Sequence, residues 1–153
     1  MTNTTICYIE QDGSYLMLHR VKKKNDINHD KWIGIGGKFE HGESPYECIR
    51  REILEEVGVK PTNLRYRGLV TFVADFCAPE YMHLFTADGY DGRIKETCEE
   101  GNLEWVKKDK IKELPIWEGD KIFLDLFTKE DRFFSLKLVY KGEKLVDHTI
   151  EIS

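Results

Sequence analysis

The chain has 153 residues, enough for one domain over residues 1–153 with a substantial core. Acidic residues outnumber basic ones 28 to 23, a formal net charge of −5, which argues against a duplex nucleic acid binder that relies on a broad basic surface. No apolar run approaches the roughly 18 residues needed to span a membrane, no signal-peptide pattern opens the chain, and the four cysteines form no C-x-x-C pair, so a cytoplasmic protein with free thiols is expected.

Thr4 to Glu10 and Tyr15 to Arg20 read as two strands around a turn at Gln11-Asp12-Gly13-Ser14. Lys22-Lys23-Lys24 reads as a solvated loop whose charge suits a phosphate tail. Gly34-Ile35-Gly36-Gly37-Lys38 reads as a loop, hairpin or bulge where the backbone can approach an ion or phosphate without a Cβ in the way. Ser44-Pro45-Tyr46-Glu47 is a capping box with proline at the first helical position, and Gly58 stands where a left-handed C′ residue is wanted. Between them Tyr46, Ile49, Ile53 and Val57 form an apolar stripe that can dock on a sheet.

Leu64 to Ala74 and Met82 to Ala87 read as longer strands separated by a loop containing Ala78-Pro79-Glu80, and Leu103 to Lys107 as a short strand. A second helix covers Glu118 to Thr128 with Ile122 and Leu126 on its buried side. Phe133 to Tyr140 and Lys144 to Glu151 form a hairpin turning at Lys141-Gly142-Glu143. This order gives a mixed α/β (α+β) class with a sheet between helices.

The first helix places Glu52, Glu55 and Glu56 at i, i+3 and i+4, spread over about 100° beside the apolar stripe. Carboxylates that close repel one another, and a hard divalent cation bridging substrate phosphates is the usual reason for such a cluster. Arg51 lies at i±4 from Glu47 and Glu55 and can orient one of them. The five histidines show no metal-ligand spacing, and no cysteine–histidine pairing suggests a thiol nucleophile.

Gly37, Glu43, Arg51, Glu52, Ile53, Glu55, Glu56, Gly58 and Val59 fill every fixed position of the Nudix box, G-x5-E-x7-R-E-U-x-E-E-x-G-U, with U a bulky apolar residue. Chance agreement is on the order of 10⁻⁹ per starting position at ordinary residue usage, so the chain resembles the Nudix hydrolases, which cleave nucleoside diphosphates linked to another group. The resemblance implies the Nudix α/β/α sandwich and a Mg²⁺ cofactor, with Mn²⁺ as a substitute. It implies a metal site of Glu52, Glu55, Glu56 and the carbonyl of Gly36, with Lys38 near the phosphates. Glu56 or Glu52 would be the general base, and Arg51 belongs to the catalytic set as an orienting group.

Trp32 to Lys38, Glu100 with Leu103-Glu104-Trp105, and Pro115 to Asp120 are further similar to MutT-type enzymes that sanitise the nucleotide pool, the oxidised purine nucleoside triphosphatases above all. That likeness implies Glu100 at the metals, Trp117 stacked on the base, Asp120 bonded to its edge and Phe72 as a pocket wall. Apart from the likeness, Trp117 and Phe72 read as core aromatics and Asp120 as an acid that caps or decorates the second helix. Two positions depart from the eukaryotic pattern: Ile33 replaces a base-binding asparagine, and Gly119 replaces a second aspartate. The expected activity is hydrolysis of a nucleoside triphosphate, 8-oxo-dGTP first, to the monophosphate and pyrophosphate by a monomer or homodimer. A nucleotide sugar, another triphosphate or an RNA 5′ end would keep this chemistry, and a non-hydrolysing nucleotide sensor would keep only the fold.

Overall fold

The computed structural model describes residues 1–153. Its strands are β1 (Thr2–Gln11), β2 (Ser14–Arg20), β3 (Trp32–Ile33), β4 (Ile35–Lys38), β5 (Val59–Thr62), β6 (Arg65–Ala74), β7 (Cys77–Ala87), β8 (Gly89–Gly92), β9 (Gly101–Lys107), β10 (Phe134–Lys141) and β11 (Lys144–Ile152). The helices are α1 (Pro45–Val57) and α2 (Glu118–Lys129), with a short 3₁₀ turn at Ile111–Glu113 before α2. Nine strands form one mixed sheet along the path β11-β10-β6-β7-β1-β2-β3, with β4 added to β1 and β9 to β2, while β5 and β8 make a separate ribbon.

Period-2 alternation on the central strands divides the core. Tyr8, Tyr15 and Met17 face α2, where Phe123 and Phe127 lie within 6 Å of the Tyr8 ring centroid. Cys7, Ile9, Leu16 and Leu18 face the other way, onto Ile49, Ile53 and Val57 of α1. The result is the expected α/β/α sandwich. Helix α1 docks by its apolar stripe, with Tyr46 only half-buried and Cys48 added to the buried face, whereas α2 buries Phe123, Leu124 and Phe127 and leaves the expected Ile122 and Leu126 half-buried at the edge of that face.

Helix α1 begins and ends where its residues require. The Ser44 hydroxyl accepts from the Glu47 N–H, the Glu47 carboxylate accepts from the Ser44 N–H, and Gly58 closes the helix at φ 85°. Helix α2 has no side-chain cap at its start, so Asp120 is not a capping residue. At its far end the buried Arg67 of β6 donates to the carbonyls of Phe127 and Glu130, satisfying acceptors that the helix leaves open.

Three expectations change. Ala78-Pro79-Glu80 is strand rather than loop, because β6 and β7 form a tight hairpin turning at Asp75-Phe76. Pro79 is tolerated there because β1 begins to pair with β7 only at Glu80. Gly34 to Lys38 is mostly strand as well: β1 pairs with β2 only from Ile9 to Gln11, and β4 pairs with its earlier residues, Thr4 to Cys7. The ribbon of β5 and β8 lacked any strand pattern in the sequence, since Val59-Lys60-Pro61-Thr62 and Gly89-Tyr90-Asp91-Gly92 have almost no alternation. Ser44→Ala removes one half of the capping box and should lower unfolding free energy by about 1 kcal/mol in urea melts; an unchanged midpoint would show that docking alone sets the helix start.

Candidate active site

Arg51 organises the acidic end of α1. Its guanidinium grips Glu43 through two bonds, Nε to Oε2 at 2.6 Å and Nη2 to Oε1 at 2.9 Å. Nη2 also donates to the Lys38 carbonyl at 3.0 Å, and Nη1 to Glu52 at 2.9 Å and Glu55 at 3.3 Å. The bonds from Arg51 hold the Glu43 carboxyl down at about 2, and those from Glu43 push the guanidinium further above its usual value. The sequence paired Arg51 with Glu47, but Glu47 belongs to the helix cap and Glu43 takes its place.

Glu52, Glu55, Glu56 and Glu100 line one open pocket of about 540 Å³ together with Lys95, Cys98 and Glu99. Glu100 reaches α1 because β9 pairs with β2 along Arg20↔Gly101, and its carbonyl accepts from the N–H groups of Val21 and Lys22. Burial, then the charges of Glu100 and Glu52, push the Glu56 carboxyl up to about 8. The Oε2 of Glu56 is buried without a hydrogen-bond partner. No three acids converge on one point as they stand, since Arg51 draws Glu52 and Glu55 toward itself. The all-oxygen donor set nevertheless fits a hard cation, because a buried carboxyl between two others needs a proton or a cation beside it.

The glycines give this pocket its shape. A Cβ on Gly37 would lie 2.6 Å from the Glu52 carboxyl, and one on Gly36 would lie 1.7 Å from the Thr5 carbonyl of β1. At Gly36 the backbone therefore passes closer to β1 than any other residue allows, and at Gly37 a side chain would have to displace the Glu52 carboxyl. The Lys38 side chain is exposed, while its carbonyl serves Arg51.

A second cavity, about 300 Å³ and mostly apolar, brings together Ile33, Phe72, Trp117 and Asp120. Trp117 is 8% exposed and packs edge-on against Phe72 and Tyr140 in the core, and with Phe72 it also lines the cavity. The exposed Phe76 lies nearly parallel to it, at 23° and 6.4 Å between centroids. Sequence reading missed Asn28, Phe76, Glu80, Met82 and Leu138, which line the same cavity. Only the alternation of β7 and β10 could have placed Met82 and Leu138 there, and nothing in the sequence marks Asn28. The change at Gly119 has a steric reason: a Cβ there would sit 2.4 Å from Leu138 and 2.7 Å from the Tyr140 hydroxyl, which accepts from the Gly119 N–H.

One short segment joins the two cavities. Ile33 lines the apolar one and Gly37 abuts Glu52, and four extended residues span at most about 13 Å.

The chain is similar to known proteins in both sequence and fold. The family model of the NUDIX domain matches residues 2–127. The chain is 32% identical over 133 residues to the uncharacterised Nudix hydrolase YvcI of Bacillus subtilis, covering 84% of this chain and 80% of that one. It is 29% identical over 150 residues to the oxidized purine nucleoside triphosphate hydrolase of Danio rerio, covering 96% and 92%. In structure it is similar to the mutator MutT protein of Bacillus halodurans, with a TM-score of 0.87, 28% identity and coverage of 99% and 98%.

Burial raises the Asp120 carboxyl to about 8, with Lys31 pulling it back only in part. Unfolded, the same group ionises near 3.8. Between about pH 4 and pH 8 the unfolded chain therefore sheds a proton that the folded chain keeps, and this group's contribution to stability falls as pH rises. Asp120→Asn removes that titration. Its stability relative to the unmodified chain should climb steadily from pH 5 to pH 8 in chemical denaturation; a difference independent of pH would refute the shift.

Proposed function

Because the chain belongs to the Nudix hydrolase family, we propose that it is a Mg²⁺-dependent pyrophosphohydrolase of nucleoside triphosphates, acting in the cytoplasm on oxidised purine deoxynucleotides, 8-oxo-dGTP foremost. The observation that carries this reading is the apolar cavity set one short strand away from the acidic one. A base fits the first while its phosphates reach the second. The similarity to an oxidized purine nucleoside triphosphate hydrolase over nearly the whole chain supports the same substrate class.

In this reading Trp117 stacks on the base, Phe72 walls the cavity, and the neutral Asp120 carboxyl donates to and accepts from the base edge. The exposed Lys38 would meet the phosphates. Glu52, Glu55, Glu56, Glu100 and the Gly36 carbonyl would hold the divalent cation. Bound there, the cation neutralises phosphate charge and lowers the pKa of an attacking water. Glu56 or Glu52 takes the proton of that water, and Arg51 acts as a positioning residue that holds the Glu52 carboxylate. Pyrophosphate leaves, and the nucleoside monophosphate remains in the apolar cavity.

The test follows from the role of Glu56. Glu56→Gln should lower turnover of 8-oxo-dGTP by at least about 10²-fold without lowering the melting temperature. The unmodified enzyme should release pyrophosphate rather than orthophosphate in Mg²⁺ and nothing in EDTA. Near-normal turnover by the variant would remove Glu56 from the mechanism, and equal hydrolysis of 8-oxo-dGTP, dGTP and ADP-ribose would remove the proposed preference.

A further inference from the structure

We infer that Asn28 supplies the amide N–H donor through which the apolar cavity recognises a carbonyl oxygen on a nucleotide base, beside the carboxyl of Asp120. The inference rests on the reading above for its ligand class, a nucleotide, and not on hydrolysis.

The orientation of the Asn28 amide is dictated by its neighbour. The Trp117 indole N–H donates to Asn28 Oδ1 at 2.7 Å. An indole nitrogen can only donate, so the atom facing it must be the amide oxygen, and the amide NH₂ is turned away with both hydrogens to offer. No protein acceptor takes them, and the side chain lines the cavity. Only Asn28 and Trp117 among the lining side chains carry N–H groups, and that of Trp117 is already engaged. Glu80 is a carboxylate acceptor bonded to Thr4, and Ile33 is apolar.

The loop holding Asn28 is braced before any ligand arrives. Arg20 donates to Asp26 Oδ2 at 2.5 Å, Asp26 Oδ1 accepts from the Asn28 N–H at 3.1 Å, and the Asn28 carbonyl accepts from the Lys31 N–H at 2.9 Å. Little ordering remains to be done when a base enters. A donor so placed in a mostly apolar cavity favours a base that presents a carbonyl and disfavours one that presents an amino group, which would leave both partners unsatisfied.

Asn28→Asp separates recognition from support, because the new carboxylate still accepts from Trp117 but has no hydrogens to give. Binding of 8-oxo-dGMP and of dAMP, which has no base carbonyl, is measured by calorimetry on the full chain. The unmodified protein should prefer 8-oxo-dGMP, and Asn28→Asp should weaken that ligand about 10- to 100-fold while changing dAMP less than about 3-fold. Equal weakening of both ligands, unaltered binding of 8-oxo-dGMP, or no preference in the unmodified protein would each overturn the inference. Base-selective binding without pyrophosphate release from 8-oxo-dGTP would instead defeat the proposed reaction and leave the role of Asn28 standing.

Discussion

The guanidinium of Arg51 is the constraint on which the acidic site depends. It joins three pieces of chain that share no continuous hydrogen-bonded element: the end of β4 at Lys38, the turn carrying Glu43, and the glutamates of α1. A planar fork of five donors can meet a carboxylate with two parallel bonds and still reach a carbonyl and a second acid, which an ammonium group cannot do. Its charge also offsets part of the repulsion among Glu52, Glu55 and Glu43. Glu56 lies outside that reach, so burial and the neighbouring acids raise its carboxyl, with only a smaller opposing pull from Arg20.

The two cavities raise carboxyl pKa values by related but different routes. Glu56 is raised by burial and by like charges in a pocket lined with acids. Asp120 is raised by burial alone, against the pull of Lys31, at the start of a helix packed on the aromatic core. The first arrangement calls for a cation, since several acids cannot all ionise in contact. The second calls for a neutral hydrogen-bonding partner, since the cavity around it is apolar. The split of β1 between β2 and β4 is what sets these environments side by side, because the Ile33–Gly37 segment threads that gap and touches both.

Much of the local structure was legible from residue type and spacing. Ser44, Pro45, Glu47 and Gly58 announce both ends of α1, and Ile49, Ile53 and Val57 announce its buried face, because capping and amphipathicity are satisfied within one or two turns. Pro79 misled, since its missing N–H matters only if a neighbouring strand reaches it, and the register of β1 against β7 is a nonlocal fact. The glycine run misled for the same reason. Gly36 and Gly37 look like a flexible loop until β1 and the Glu52 carboxyl are seen to press on them.

By itself, then, the sequence determined the helix that carries Glu52, Glu55 and Glu56, the alternating faces of the central strands, and the family to which the chain belongs, because each depends on groups a few residues apart or on a fixed linear motif. Only the tertiary structure decided that Arg51 binds Glu43 rather than Glu47 and that Asn28 meets Trp117 across 89 positions of chain. Those contacts are made by strand pairing and loop bracing between distant segments, and no periodicity along the chain encodes which distant partner a side chain will meet.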